Sequence, residues 1–243
     1  MIPTLNGRAD LHIHTTCSDG SASPEATLDY IAEHRQLDVI AITDHDTLEG
    51  SLWAYHHRHR YPFDIVPGVE VTSADGHVLA LWVTRPIPKH LPLAETVAAI
   101  HAQNGIAILA HPFELFIAPR TFLRYLLNPR GLIESGIDAV EVHNAGAFTP
   151  FGNWLARRMY GRSPLPGVGG SDSHLPTTIG TGVTRFHGTD ARALRNSLAL
   201  GHVAAEGSRW GLTVYLKIYR TSRRNRQSAY LETNVSSTRL IRQ

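Results

Sequence analysis

The feature that most constrains this chain is Asp10-Leu11-His12-Ile13-His14-Thr15, with Ser18-Asp19-Gly20 close behind. In an extended strand alternate side chains share a face, so His12 and His14 point one way and Leu11 and Ile13 the other. Two imidazoles on one face, with a carboxylate arriving from the next turn, suit a borderline transition metal such as zinc, manganese or iron.

Further ligand types recur along the chain. Thr43-Asp44-His45-Asp46, Pro67-Gly68-Val69-Glu70, Gly76-His77-Val78-Leu79, Leu109-Ala110-His111-Pro112 and Gly170-Ser171-Asp172-Ser173-His174 each place one at or near the end of an apolar run. Val39-Ile40-Ala41-Ile42 precedes Asp44, and Ile106-Ala107-Ile108-Leu109 precedes His111. Strands that end in ligands, separated by helical stretches, are what a parallel barrel produces when its site is built at one face.

Taken in order, H-x-H-T, S-D-G, T-D-H-D, G-V-E, H-V-L, A-H-P and G-S-D-S-H resemble the PHP family, the polymerase and histidinol phosphatase superfamily of metal-dependent phosphoesterases. The resemblance runs from about Ala9 to about Phe186. It implies an α/β fold, a distorted (β/α)7 TIM-like barrel of the PHP type, holding two to three divalent ions (Mn, Zn or Fe) at the C-terminal strand ends. It assigns His12, His14, Glu70 and Asp172 to one ion. Glu70 then bridges to a second held by His77 and His111, and Asp19, His45 and His174 hold a third.

The same resemblance implies hydrolysis of a phosphate ester, with a hydroxide bridging the first two ions as nucleophile. Asp44, beside His45, is expected to orient an imidazole. His143 and Asn144, at the end of Ala139-Val140-Glu141-Val142, are expected to face substrate or to support the ligands from behind rather than to bind metal, with His143 or a metal-bound water protonating the leaving oxygen. Arg185 is a candidate phosphate clamp, because a guanidinium grips two oxygens at once; Arg120 and Arg124 are alternatives. The expected substrate is a nucleotide, a short oligonucleotide or a small-molecule phosphate. Hydrolysis of a non-phosphate ester or amide is an alternative for the same donors, and a non-catalytic binding module is another, disfavoured by the intact motifs.

The chain has 243 residues, 42% hydrophobic and 18% charged, which describes a globular protein able to bury one core. Residues 1–206 are read as the catalytic domain and 207–243 as a basic extension. One cysteine, Cys17, excludes an internal disulfide. No basic leader precedes an apolar segment, and no apolar run is long enough to span a bilayer, so cytoplasm is the expected compartment. The net charge of +2 conceals an asymmetry. From Arg209 onward Lys217, Arg220, Arg223, Arg224, Arg226, Arg239 and Arg242 face one acidic residue, Glu232; the balance reads first as a solvated, partly ordered terminus, with contact to nucleic acid, an acidic membrane surface or another partner as the alternative.

Local signals complete the reading. Ser23-Pro24 marks a helix start, with Leu28, Ile31 and Ala32 as its apolar stripe. Leu93 to Gln103 reads as a helix stopped at Asn104-Gly105, and Asp190 to Leu200 as the last barrel-associated helix. Pro86-Ile87-Pro88 and Asn128-Pro129-Arg130-Gly131 read as loops. His56, His57 and His59 read as the solvated face of a helix, and Leu212, Val214, Leu216 and Ile218 alternate as in an edge strand.

Overall fold

Runs such as Val39-Ile40-Ala41-Ile42 are apolar on both faces, as strands covered on both sides must be. The computed structural model describes residues 4–116 and 118–218 and forms nine strands from such runs. They are β1 (Gly7–Ile13), β2 (Val39–Ile42), β3 (Asp64–Ser73), β4 (Gly76–Leu81), β5 (Ile106–Leu109), β6 (Ala139–Asn144), β7 (Gly167–Gly170), β8 (Gly182–Phe186) and β9 (Val203–Gly207). Seven helices accompany them up to residue 209: α1 (Pro24–His34), α2 (Glu49–His57), α3 (Leu93–His101), α4 (Pro119–Leu127), α5 (Pro129–Glu134), α6 (Gly152–Tyr160) and α7 (Ala191–Ala199).

The sheet order is β7-β6-β5-β4-β3-β2-β1-β8-β9. Strands β1 to β3 pair in parallel, as do β5 to β7, whereas β4 runs antiparallel to both β3 and β5. The expected seven-strand α/β barrel is therefore present in β1 to β7 with one strand reversed, and the β8–β9 hairpin extends the same sheet from the other edge of β1. The reversal explains His77. It stands at the start of β4, opposite Thr72, and a strand running backwards begins at the rim where its parallel neighbours end.

Closure of the ring is made just past β7. Ile13 and Ser173 form a parallel bridge, with the His14 N–H donating to the Ser173 carbonyl at 2.8 Å and the Ser173 N–H to the His12 carbonyl at 3.2 Å. Asp10, fully buried, accepts the Ser171 N–H at 3.1 Å and the Gly180 N–H at 2.7 Å. Burial pushes its carboxyl up to about 6, against the lowering effect of the hydrogen bonds from Ser171, Gly180 and His12. Glycine is required at the crossing of β7 and β8, since a Cβ on Gly182 would lie 2.1 Å from the Gly170 carbonyl oxygen.

The helices follow their expected signals closely. Ser23 caps α1 through its hydroxyl, which accepts the Ala26 N–H at 3.2 Å, and Asp190 caps α7 by accepting the Ala193 N–H at 2.7 Å. The buried stripe of α1 is Thr27, Leu28 and Ile31, while Ala32 is exposed. After α3, Asn104 takes a φ of 56°, the left-handed conformation that ends a helix. His56 and His57 donate to carbonyls one turn back in their own helix, Leu52 and Trp53.

Two local expectations are corrected. Asn128-Pro129-Arg130-Gly131 is not a loop but the start of α5, because Asn128 caps it, accepting the Gly131 N–H at 3.1 Å, and Pro129 sits where a missing N–H costs nothing. Residues 212–218 are helical rather than an edge strand. Contacts divide the chain after Arg209, into units of residues 1–209 and 210–243. Of the basic tail, Arg220, Arg223, Arg224, Arg226, Arg239 and Arg242 lie outside the described residues. Among the described residues no helix is long and apolar enough to cross a membrane.

Asp10→Ala leaves buried N–H groups of Ser171 and Gly180 without an acceptor. Its expected cost is about 3 kcal/mol, read from urea unfolding in the presence of chelator so that metal loss does not contribute; Asp10→Asn, which keeps an acceptor, is expected to lose less.

Candidate metal centre and active site

The barrel rim gathers its ligand types around one side chain. Glu70 is fully buried near the end of β3, and its two oxygens are ringed by imidazole nitrogens. Oε1 lies 2.9 Å from His77 Nδ1 and 3.1 Å from His111 Nε2. Oε2 lies 3.2 Å from each of His12 Nε2, His14 Nε2 and His45 Nδ1. Asp172 Oδ1 approaches His14 Nε2 at 3.2 Å and His12 Nε2 at 3.4 Å. Asp19 closes the outer edge, its Oδ2 lying 3.2 Å from His174 Nε2 and 3.8 Å from His45 Nε2.

This arrangement fits metal ions better than hydrogen bonds alone. His12 Nε2, both ring nitrogens of His14, His77 Nδ1 and Glu70 Oε2 are buried with no hydrogen-bond partner, although buried polar atoms are normally paired. All five belong to the same cluster. Donor atoms from His12, His14 and Glu70 lie within 4.8 Å of one another, as do those of the set His14, Asp19, His45 and His174. His45, Glu70 and His77 form another such set, and His12, His111 and Asp172 a fourth. Neutral imidazoles and carboxylates are the donors expected for zinc, manganese or iron.

Charge within the cluster is strongly coupled. Burial opposes ionisation of Glu70, yet the charges of His12 and His77 and the hydrogen bond from His111 hold it well below the usual carboxylate range. Asp172 behaves alike beside His12 and His14, and Asp19 beside His174. Conversely, burial would lower His14, but the carboxylates of Asp172 and Glu70, each 3.2 Å from its Nε2, push it up to about 10; His111 rises to about 9 for a like reason, chiefly through Glu70. Without a cation, these imidazoles hold protons at neutral pH.

Positioning comes from groups behind the cluster. Glu141 Oε1 lies 3.1 Å from His12 Nδ1, and an imidazole that donates there presents an unprotonated Nε2 to Glu70 and Asp172. Glu141 Oε2 accepts the backbone N–H of His111 at 2.9 Å and the Asn144 amide at 2.9 Å, and that same amide nitrogen donates to Asp172 Oδ2 at 3.1 Å. Gly170 makes room for the pair, since a Cβ there would lie 2.4 Å from Glu141 Oε1. His111 and Asp172 have φ of 25° and 54°, backbone strain of the kind concentrated at functional sites.

The structure brings His12, His14, Asp19, His45, Glu70, His77, His111, Asp172 and His174 together, with Asn144 directly behind Asp172. Four other expectations are corrected. His143 is turned away, because the pairing of β6 with β7 shifts register between Glu141 and His143; its Nδ1 lies 3.4 Å from the Asn153 amide, and its Nε2 is so close to Gly207 that a Cβ there would sit 2.9 Å away. Arg185 pairs across from Arg8 near the start of β1, at the opposite end of the barrel, where it donates to the Leu5 carbonyl at 2.6 Å. Arg124 is engaged by Asp75; the other alternative, Arg120, stands exposed on α4 one residue before the cavity-lining Thr121 and remains a candidate. Among the described residues Asp44 bonds to no imidazole; it accepts from the Thr15 N–H and hydroxyl, both at 2.7 Å, and from Ser18 at 2.6 Å, so it fixes the turn that delivers Asp19. Sequence reasoning gave Glu141 no role, yet a carboxylate between Val140 and Val142 in an apolar strand is itself a mark of a buried, paired acid.

Two outcomes follow from this geometry. Because a cation must displace protons from His14 and His111, whose raised pKa values keep them charged below about 9 to 10, apparent metal affinity should rise with pH between 6.5 and 9. Calorimetry in buffers of different ionisation enthalpy reads the released protons directly, and a pH-independent affinity would contradict the coupling. Glu141→Gln should weaken metal binding about 10-fold to 100-fold with the fold retained, checked by equilibrium dialysis alongside circular dichroism.

Comparison with known proteins agrees with the geometry. The family model described as "PHP domain" matches residues 10–121, and "PHP-associated" matches 150–203. An uncharacterized protein of Methanocaldococcus jannaschii, MJ1587, is 31% identical over 149 residues, which cover 57% of this chain and 82% of the relative. A phosphoribosyl 1,2-cyclic phosphate 1,2-diphosphodiesterase of Eggerthella lenta is 36% identical over 102 residues, covering 39% of this chain and 38% of that one. Among solved structures, a two-domain protein from Bacteroides vulgatus containing a predicted PHP-like metal-dependent phosphoesterase superposes with a TM-score of 0.66 at 18% identity, covering 86% of this chain and 68% of that one. The chain belongs to the PHP family of metal-dependent phosphoesterases.

Proposed function

We propose that this chain hydrolyses the phosphate ester of a nucleotide or other small phosphorylated molecule at the rim of its barrel, using two to three divalent ions of Mn, Zn or Fe. The observation that carries this reading is Glu70, buried with five imidazole nitrogens within 3.2 Å of its two oxygens. A carboxylate so placed suits a bridge between cations, with His12, His14 and Asp172 on one side, His77 and His111 on another, and Asp19, His45 and His174 toward the outer edge. When bound, the ions supply positive charge for the phosphate oxygens and make water a stronger acid.

The chain's own residues prepare this chemistry. Asp19, Glu70 and Asp172 are the carboxylates of the ligand sets and Glu141 stands behind them, so three divalent ions would leave an excess of positive charge to attract an anion. Glu141 and Asn144 hold His12 and Asp172 in place, which spares the loaded site reorganisation. A cavity of about 480 Å³ opens beside the cluster, walled by Thr72, His77, His111, Thr121, Phe148 and His174 among others, a size that suits a small phosphorylated molecule. The diphosphodiesterase relative named above acts, by its name, on a phosphoribosyl compound, which supports a sugar phosphate or nucleotide here. Residues 1–206 would carry this activity, and 207–243 would form a basic extension suited to an acidic partner.

Phosphate release from a panel of monoesters and cyclic phosphates, with metal content measured on the same preparation, tests the reading. Chelation should abolish release, and manganese, zinc or iron should restore it. Glu70→Gln should lower kcat/KM by about a hundredfold or more and deplete two ions together in anomalous diffraction. Full metal occupancy in that variant would remove Glu70 from its bridging role.

A further inference from the structure

One wall of the cavity bears a charge that the metal ligands leave unused. Glu114 is 5% exposed and lines the cavity three residues beyond His111, beside Pro112, Ala118 and Thr121. Its Oε2 accepts the Thr149 N–H at 3.1 Å and the Thr149 hydroxyl at 3.2 Å. The Thr149 hydroxyl oxygen in turn accepts the Leu115 N–H at 2.9 Å, so the carboxylate is held in one orientation from both sides of the loop. Among the described residues no hydrogen bond uses Oε1. None of the described residues lining this cavity is lysine or arginine.

Because Glu114 lines the cavity, a substrate that displaces water from it must offer a hydrogen-bond donor or leave a carboxylate oxygen unpaired. Neither of its charged alternatives fits this place. A second phosphate would meet the negative charge of Glu114 directly, and an ammonium group would be repelled by the cations that the neighbouring His111 helps to hold. A neutral hydroxyl suffers neither repulsion. It also donates to a carboxylate in a charge-assisted hydrogen bond, which is stronger than one between neutral groups.

We propose that Glu114 is a specificity residue whose Oε1 accepts a hydrogen bond from a hydroxyl on the alcohol portion of the ester, so that the site favours ribosyl or polyol monoesters over esters carrying a second phosphate. The proposal rests on the phosphoesterase reading above. Burial also pushes the Glu114 carboxyl up, against the lowering charge of His111 and the bonds from Thr149, as expected of a carboxylate partly stripped of water. Discrimination of this kind is effective because a polar group built to meet a donor is left unpaired by a substrate that lacks one.

The test compares wild type, Glu114→Gln and Glu114→Asp as zinc-loaded enzymes. Gln keeps an oxygen for Thr149, and Asp keeps the charge but shortens the reach. On ribose 5-phosphate both variants should lose about 10-fold to 100-fold in kcat/KM, mainly through KM, while p-nitrophenyl phosphate, which has no hydroxyl to offer, should change less than about twofold. Adenosine 3′,5′-bisphosphate should be a better substrate for Glu114→Gln than for wild type. Equal losses on ribose 5-phosphate and p-nitrophenyl phosphate would overturn the proposal and leave Glu114 as a staple for the Thr149 loop. So would an unchanged kcat/KM for ribose 5-phosphate. Titration calorimetry of the non-hydrolysable phosphonate analogue of ribose 5-phosphate against phenylphosphonate reads the same contact without turnover. If wild type releases phosphate from no ester, the phosphoesterase reading fails, while selective weakening of ribose 5-phosphate binding in the variants still decides for or against Glu114.

Discussion

The structure depends on one fully buried carboxylate. Glu70 stands near the end of β3 with imidazoles from β1, β4, the turn after β2 and the loop after β5 around its oxygens. An isolated ionised group in that position would cost several kcal/mol in lost hydration. The cost is offset only because side chains distant in sequence converge on it, and the convergence in turn fixes where each strand must end. Proton and metal would compete for the same cluster: with protons the imidazoles pair with Glu70 and Asp172, and the same nitrogens are the donors a cation would take.

That convergence requires a closed ring, and closure here is polar. Asp10 binds backbone N–H groups of Ser171 and Gly180, and Ser173 exchanges backbone hydrogen bonds with the strand that carries His12 and His14. The same few residues thus join the first strand to the last strand of the ring and set Asp172 beside His12. Gly170 serves both purposes, leaving space for Glu141 against His12 while β8 crosses nearby. Stability and site geometry are carried by the same contacts, so disturbing the seam also moves ligands.

Behind the ligands stands a layer that gives the site its asymmetry. Glu141 reaches His12, the His111 backbone and Asn144 at once, linking β1, the loop after β5 and β6 in one network. Asp44 does a related task one turn away by tying Thr15 and Ser18, so that Asp19 approaches His174 from the outer edge. The left-handed backbone at His111 and Asp172 shows that ligand placement took precedence over local comfort at both positions.

Much of this was legible in the amino-acid sequence. The candidate donors and helix starts such as Ser23-Pro24 follow from short-range rules: alternation along a strand, apolar runs ending in donors, and caps that pair free N–H groups. The barrel class and the division of the donors among ions were what the resemblance to the PHP family implied. What failed were judgements about direction and company. His143 and Glu141 alternate in the sequence as if they shared a face, but the register shift in β6 separates them, and it is Asn144 that joins Glu141 beside Asp172. Arg185 carries the right group for phosphate, but its strand runs antiparallel to β1 and places it at the wrong end of the barrel. Asn128-Pro129 is as good a helix start as a turn, and only the packing of Leu132 in the core decides between them. The chain alone therefore determined which atoms can bind metal, because that is a property of each side chain. Tertiary structure decided which of them meet, which carboxylates orient them and what faces the substrate, because those depend on register, strand direction and closure between residues far apart in sequence.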